Sequence, residues 1–378
     1  MAVSARTYAR QRDFSKLFIS LAVLAAVVAI APIAAAVLGY GSRVVTPKTA
    51  FASAPNGDYA VMGRTDNGAD VISVAWASNP GAVTEIARVP HLDGFASTGA
   101  VSPDGKQIAL VTVDGGSATH PKASLKVIGL ESGLITNALS DVAPGQTPVW
   151  EADGSHLVAV MNPASDSSGG NFSVVRVKPD GKQAQQVASF AGALGVYPIG
   201  FRREDLALVI IDSRGSTLRI GDADWGQLSG NITRDWKLSP DGNQVAFVDT
   251  QTDGGVRYVA RTVTLSGAGV SAESLTAPVA ALGSAWNPKT NTAAFGLEPG
   301  ASEIDGVSAQ ALSAAGAASD EDGFDIPMGF SSDGDNLFVT RWSGTSFQEP
   351  GKPVLQIVNA SGRASYENFT RFYGWAAR

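Results

Sequence analysis

Few side chains in this sequence have the types and spacing that catalysis or metal binding requires. The chain has no cysteine, which excludes disulfides, thiolate metal sites and a cysteine nucleophile. Its three histidines, His91, His120 and His156, are far apart, and no two have the spacing of metal ligands on one helix or hairpin. We therefore expect surface or loop roles for the histidines, and the sequence predicts no catalytic or cofactor-binding residue.

The acidic stretch at residues 320–325 is the weak candidate for a metal site. Asp320, Asp322 and Asp325 place several carboxylates on one short loop, a pattern that can hold Ca²⁺. The stretch does not match the twelve-residue calcium loop. A solvated acidic loop is therefore the favoured interpretation.

Tryptophans and one arginine pair are the other candidates for ligand contact. Arg202 and Arg203 could meet an anionic partner, although a solvated surface is the favoured interpretation. Most tryptophans lie in apolar, strand-like surroundings, which favours core packing over a ligand groove. The tryptophans in question are Trp76, Trp150, Trp286, Trp342 and Trp375.

The charge of the chain is divided unevenly between its ends. The net charge is −7, but residues 1–42 carry +3, so the remainder carries −10. An acidic body repels phosphate backbones, which argues against nucleic-acid binding. It favours a partner that is basic or whose binding is sensitive to salt.

The N-terminal region contains an apolar segment from Leu17 to Leu38 with no charged residue. A helix of that length spans the hydrocarbon layer of a membrane, which is roughly 30 Å thick. The nearby positive charges precede it, so the positive-inside rule places the N-terminus in the cytoplasm and the body outside. We predict a cytoplasmic tail at residues 1–16, a membrane anchor at residues 17–38 and a linker at residues 39–50.

A cleaved signal peptide is the alternative interpretation of this segment. Small residues for cleavage occur at Ala34, Ala35 and Ala36. The apolar stretch is longer than the usual signal-peptide core, which favours the anchor. Both interpretations export the body of the protein.

The rest of the sequence repeats a unit: a bulky apolar residue, a polar turn and a short strand-like run. The clearest turns are Ser-Pro-Asp-Gly, at residues 102–105 and 239–242. Proline presets φ near about −65°, aspartate bonds to the local backbone, and glycine accepts a positive φ. Each turn is therefore predicted to be the tip of a β-hairpin.

The spacing of these units predicts an all-β, seven-bladed β-propeller over residues 51–378. Successive units start 37 to 51 residues apart, and such a period, with about four strands a unit, is typical of propeller blades. The units start at Ser53, Val101, Trp150, Phe201, Leu238, Trp286 and Phe330.

The ends of the chain indicate how the ring closes. Trp375 lies 45 residues after Phe330, at the next expected bulky position, whereas Ser53 occupies that position in the first unit. We predict that residues 372–376 supply the missing strand of the first blade. That pairing removes sheet edges that would otherwise promote aggregation.

The Ser-Pro-Asp-Gly hairpins at this spacing resemble the TolB-type, WD-like Pro-Asp-Gly propeller repeats of bacteria. The resemblance covers roughly residues 50–378 and implies an architecture rather than an activity. It implies binding or scaffold roles in the cell envelope, and some similar propellers cap the catalytic domains of peptidases. The Gly-x-Ser-x-Gly elbow of such peptidases is absent from the sequence.

The sequence favours a membrane-anchored, extracytoplasmic (periplasmic or extracellular) propeller that acts as a non-enzymatic protein-binding or scaffold module, with a protein partner in the envelope. The alternative is a propeller-type hydrolase or lyase that acts on a glycan or ester at the central channel. A third possibility, a sensor or anti-sigma-like regulator, is less favoured because the cytoplasmic tail is too short to fold.

The predicted starts of the inner strands bear on the enzyme alternative, because propeller enzymes commonly place carboxylates there. Asp235 is the single carboxylate among these starts.

Overall fold

The computed structural model describes residues 56–162, 171–252, 255–267, 269–271, 281–297 and 323–377. All regular elements in these ranges are β-strands, arranged in antiparallel sheets of consecutive strands. The first strands are β1 (Asp58–Asp66), β2 (Ala69–Trp76), β3 (Asn79–Pro90), β4 (Thr98–Val101), β5 (Gln107–Gly116), β6 (Pro121–Gly129), β7 (Ile135–Val142), β8 (Val149–Trp150), β9 (Leu157–Val160), β10 (Asn171–Val177) and β11 (Gln185–Ala191).

The remaining strands continue the same pattern to the end of the chain. They are β12 (Gly195–Arg202), β13 (Asp205–Asp212), β14 (Gly215–Ile220), β15 (Ala223–Ser229), β16 (Thr233–Leu238), β17 (Gln244–Gln251), β18 (Arg257–Ser266), β19 (Gly269–Ser271), β20 (Ala281–Asn287), β21 (Thr292–Leu297), β22 (Phe324–Phe330), β23 (Leu337–Trp342), β24 (Pro353–Asn359), β25 (Gly362–Tyr366) and β26 (Arg371–Ala377).

These strands form a β-propeller, which confirms the predicted all-β class. Six sheets in the described residues have four strands: β26-β1-β2-β3, β4 to β7, β8 to β11, β12 to β15, β16 to β19 and β22 to β25. The sheet β20-β21 has two strands. The described residues therefore contain six four-stranded blades rather than the seven predicted, because the described part of the unit that starts near Trp286 has two strands.

The first blade joins the two ends of the described chain. The C-terminal strand β26 pairs antiparallel with β1, with Ala60 opposite Trp375 and Asp58 opposite Ala377. The strand lies at the residues expected to complete the first blade. It fills the inner position of that sheet, which places the last described residues beside the first.

The Ser-Pro-Asp-Gly turns are closed by their own side chains. Ser239 Oγ donates to Asp241 Oδ1 at 2.6 Å and accepts from the backbone N–H of Gln244 at 2.8 Å. Asp241 Oδ1 also accepts from the backbone N–H of Asn243 at 3.0 Å, and Gly242 has a φ of 71°. The Ser–Asp contact recurs at 2.6 Å in two other hairpins, at Ser102–Asp104 and Ser331–Asp333.

The core lies between neighbouring sheets, which explains the apolar runs in the sequence. All four residues of β9 are buried, and β17 has five consecutive buried residues from Val245 to Asp249. A strand that is covered on both faces cannot alternate apolar and polar residues as a half-exposed strand does. Each sheet is therefore stable only when it is stacked between its neighbours.

The predicted membrane anchor from Leu17 to Leu38 lies outside the described residues, as do the predicted tail and linker. The described part of the chain contains no helix long and apolar enough to cross a membrane.

Candidate binding site

The described residues enclose a central cavity of about 840 Å³. It is lined by residues of the inner strands of the six blades and by β20. Most of the lining is apolar or small, as in the segments Pro198–Ile199 and Met328–Gly329. The charged side chains in the lining come from one strand, β16, and are Arg234, Asp235 and Lys237.

An irregularity in β16 brings these charges together. The register with β17 shifts between Arg234, which lies opposite Val248, and Lys237, which lies opposite Ala246. Asp235 has a φ of 56°, a left-handed conformation that is uncommon for a residue other than glycine. A bulge of this kind re-aims side chains beside functional sites. Here Arg234, Asp235 and Lys237 all line the one cavity.

The Asp235 carboxylate accepts hydrogen bonds from two neighbouring residues. Its Oδ2 atom accepts from Arg234 Nε at 3.1 Å and from the backbone N–H of Gly283 at 3.0 Å. The Asp235 carbonyl accepts a hydrogen bond from Ser284 Oγ. Asp235 thus neutralises Arg234 and ties β16 to β20.

Lys237 has no such partner. Within the described residues its ammonium group has no hydrogen bond or ion pair, although Asp235 is near enough to favour its charged form. Desolvation by the surrounding protein lowers the pKa of Lys237, and Asp235 opposes that shift. The residue is nevertheless exposed to water in the cavity. Hydration of the ammonium group therefore limits the lowering of its pKa.

An aromatic wall stands beside this charge. The rings of Trp236 and Tyr197 lie 4.7 Å apart between centroids, with an interplanar angle of 35°. Trp236 Nε1 donates to Thr233 Oγ1 at 2.7 Å, which fixes the indole. Burial raises the pKa of Tyr197, so its hydroxyl stays protonated at neutral pH.

Of the three predicted metal candidates, the structure describes Asp325. Asp320 and Asp322 lie outside the described residues. Asp325 lies in β22, where Arg363 Nη2 contacts its Oδ2 at 2.6 Å and Arg341 Nη1 contacts its Oδ1 at 3.4 Å. Both oxygens therefore face guanidinium groups, and no cluster of metal-ligating side chains occurs in the described ranges.

The histidines occupy separate places. His91 follows β3, but its side chain is only 2% exposed and Nε2 lies 3.8 Å from Asp70 Oδ1. His156 contacts the Glu151 carboxylate at 3.1 Å, and His120 contacts Thr119 within its own turn. None of the three lines the central cavity.

The arginine and tryptophan candidates divide between structure and site. Arg202 donates from Nε to the Gly242 carbonyl at 3.0 Å and covers the Trp225 ring, so it joins two blades. Trp150 and Trp375 line the cavity, but their indole nitrogens bond to backbone carbonyls of neighbouring blades. Arg234 and Lys237 were not predicted from the sequence as site residues; the weak signal was the run Arg-Asp-Trp-Lys at an inner-strand start.

One face of the propeller carries exposed apolar side chains. In a four-stranded antiparallel blade, the link to the next blade and the turn between the second and third strands lie at the same end. We call this end the connection face. It exposes Leu92 (36%), Leu194 (67%), Ile232 (57%) and Val256 (62%).

No known protein-family model matches this sequence, and no curated protein sequence matches it. Solved structures do match its fold. Prolyl oligopeptidase B from Galerina marginata aligns with a TM-score of 0.53 and 13% identity, over 85% of this chain and 50% of that one. The acylaminoacyl peptidase of Pyrococcus horikoshii aligns with a TM-score of 0.52 and 12% identity, over 81% and 50%.

TolB from Acinetobacter baumannii is also among the similar structures. It aligns with a TM-score of 0.44 and 12% identity, over 82% of this chain and 65% of that one. The chain thus spans about half the length of the two peptidases and less than two thirds of TolB. The chain is a β-propeller. At these identities the likeness concerns the fold alone.

Proposed function

We propose that this chain is a membrane-anchored, extracytoplasmic propeller that binds a partner protein of the cell envelope and acts as a scaffold without catalysis. The contacts made by the Asp235 carboxylate are the main support for this proposal. Asp235 is the only carboxylate in the described lining of the cavity, and it is held by Arg234 and by the Gly283 backbone. Glycoside hydrolysis uses a pair of carboxylates, and the described lining offers this one alone.

The connection face is our proposed docking surface. Leu194 and Ile232 lie in links between successive blades, each directly before an inner strand. Exposed apolar side chains on such a platform give a partner the area that it can bury. The acidic body favours a partner with basic residues around its apolar contact.

A pair of matched variants tests this docking surface. Leu194 and Leu134 are equally exposed, at 67% and 68%, but Leu134 lies in the β6–β7 turn at the opposite end of its blade. Leu194→Asp should abolish co-purification of the partner from cross-linked envelopes, and Leu134→Asp should leave it unchanged. Equal recovery of partners with both variants and with a Leu194→Asp/Ile232→Asp double variant would contradict the proposal.

The absence of cysteine makes the membrane topology simple to test. Ser361 is exposed in the propeller and Ser4 lies in the predicted tail. In intact cells, or spheroplasts if an outer membrane is present, a membrane-impermeant maleimide should label Ser361→Cys, and it should label Ser4→Cys only after the membrane is opened. Loss of Ser4 from the mature chain, measured by mass spectrometry, would indicate a cleaved signal peptide instead.

We also propose that β20-β21 is the inner half of a seventh blade. Trp286 Nε1 of β20 donates to the Lys237 carbonyl of β16 at 2.9 Å, and Asn287 Nδ2 donates to the Gly334 carbonyl beyond β22 at 3.1 Å. The sheet thus contacts a blade on each side. An experimental structure with β20 detached from β16 or from β22 would contradict this proposal.

The alternative, a propeller-type hydrolase or lyase, makes a different prediction. Such enzymes commonly hold a cation among carboxylates at the cavity. A rise in melting temperature on adding Ca²⁺, abolished by Asp235→Asn, would favour the enzyme. An unchanged melting temperature favours the scaffold.

A further inference from the structure

The charge in the central cavity is unbalanced. Arg234 and Asp235 form an ion pair at 3.1 Å, so together they carry no net charge. Lys237, on the same strand, is left with no ion-pairing carboxylate in the described part of the chain. The described lining therefore has a net charge of +1, inside a body whose net charge is −10.

The cavity strengthens the attraction of this single charge for an anion. Most residues that line the cavity around Lys237 are apolar and have a low dielectric response, although water reaches the residue itself. A cation that has lost part of its hydration gains more from a direct anionic partner than a surface lysine does. Lys237 also lines a second cavity of about 370 Å³ beside β22, so a ligand can approach it from two sides.

From these observations we propose that the central cavity binds a ligand through one carboxylate, which pairs with the ammonium group of Lys237. The net charge of the lining determines which class of anionic group the cavity favours. A carboxylate carries one negative charge and balances the lining, whereas a phosphate monoester carries nearly two at neutral pH. This inference goes beyond the proposed scaffold function and does not depend on it.

The lining also defines the rest of the ligand. Trp236 and Tyr197 form one wall, and Phe372 and Trp375 line the same cavity. A volume of about 840 Å³ suits a small organic ligand or the end of an extended peptide. We expect a flat apolar or aromatic group next to the carboxylate. Both a small aromatic acid and the C-terminal residue of a partner chain have this chemistry.

Isothermal titration calorimetry on the full-length chain in detergent tests the site with named probes. The first pair is 2-naphthoate and its neutral isostere 2-naphthamide. The second pair is the peptide Gly-Ser-Gly-Ser-Gly-Phe with a free carboxylate and with a C-terminal amide. In at least one pair the acid should bind roughly tenfold or more tightly than the amide, as expected for a hydrogen bond to a charged group.

Two variants with the same change in charge assign the effect to the cavity. Lys237→Gln should remove the preference for the acid, and Lys182→Gln, at an exposed hairpin, should keep it. Lys237→Arg retains the charge and should keep binding, which separates loss of the site from loss of the fold. If 2-naphthoate binds more tightly than the peptide acid, the natural ligand is a small aromatic acid. If the peptide acid binds more tightly, the ligand is the C-terminus of a partner chain.

Three results would overturn the assignment. The first is equal binding of acid and amide in both pairs by the unmodified chain. The second is an acid preference that Lys237→Gln does not change. The third is 2-naphthyl phosphate binding more tightly than 2-naphthoate, because the cavity would then not be selective for a single negative charge.

Discussion

Trp375 Nε1, in the closing strand β26, donates a 3.0 Å hydrogen bond to the carbonyl oxygen of Gly329 in β22. Gly329 directly precedes Phe330, the bulky residue that starts the preceding unit. Each tryptophan at a unit start makes this contact to the equivalent carbonyl. The other pairs are Trp150 with Ala100, and Trp286 with Lys237, both at 2.9 Å. The repeat therefore encodes a bond between blades as well as a turn within each blade.

Trp375→Phe should lower the free energy of unfolding by about 1 to 3 kcal/mol, because it leaves the Gly329 carbonyl without its donor. Trp342→Phe is the matched control. Trp342 Nε1 is buried without a hydrogen-bond partner in the described residues, so this substitution loses packing but no hydrogen bond and should cost less than Trp375→Phe. Urea denaturation followed by circular dichroism measures both. A larger loss for Trp342→Phe than for Trp375→Phe would refute the role of the inter-blade bond.

Features encoded by local sequence were predictable. The conformation of the Ser-Pro-Asp-Gly turn is fixed by four adjacent residues, so the sequence alone places Ser239 and Asp241 at a hairpin tip. The position of Trp375 likewise indicated where the closing strand lies, because a ring requires one spare strand. The described residues contain six four-stranded blades rather than the predicted seven, since spacing counts unit starts and does not show how many strands each unit contributes.

Features that depend on the register of distant strands could not be predicted. The cavity charge at Lys237 follows from the bulge at Asp235, which no short motif signals. Asp325 was a candidate metal ligand because of its acidic neighbours in sequence. In the fold it pairs with Arg341 and Arg363, which are 16 and 38 residues away. The burial of His91 was not predicted for the same reason, because it depends on packing beside Asp70, which lies in β2.

Ser239→Ala should destabilise the chain by about 1 to 2 kcal/mol, because two partly exposed backbone donors lose their shared acceptor. Ser239 is 3% exposed, and its Oγ accepts from the backbone N–H groups of Asn243 and Gln244. Ser361→Ala is the control, because that hydroxyl is exposed and makes no hydrogen bond within the described residues; it should change stability by less than about 0.5 kcal/mol. Equal effects of the two substitutions in urea denaturation would contradict the role of the turn.

The same turn predicts that the free energy of unfolding falls at low pH. The hydrogen bond from Ser239, followed by that from the Asn243 backbone, lowers the pKa of Asp241 below its usual 3.8. Since the folded-state pKa is below the unfolded one, Asp241 adds stability above pH 3.8, and this contribution is lost as the pH falls through the folded-state pKa.

Asp241→Asn should therefore lose less stability than the unmodified chain as the pH is lowered through this window, and Ser239→Ala should act in the same direction. Denaturation midpoints measured at several pH values from neutral to strongly acidic give the slopes. Identical slopes in all three proteins would show that Asp241 is not ionised preferentially in the fold.

The buried ion pair between Arg371 and Asp70 connects the closing strand to β2. Asp70 is 0% exposed, and Arg371 also donates from Nη2 to Thr65 Oγ1 at 2.8 Å. Arg371→Gln leaves a buried carboxylate without its partner, which typically costs about 3 to 5 kcal/mol. By contrast, Lys289→Gln breaks the exposed pair with Asp335 and should cost about 1 kcal/mol or less.

A double-mutant cycle separates this ion pair from packing. Asp70→Asn in the Arg371→Gln background should recover a large part of the lost stability, because no buried charge is then unpaired. Hydrogen exchange of β26 gives a local readout: Arg371→Gln should expose the amides of the closing strand before those of β17, which lies in a different blade. Uniform loss of protection across both strands, with no recovery in the double variant, would show that the pair does not hold the ring closed.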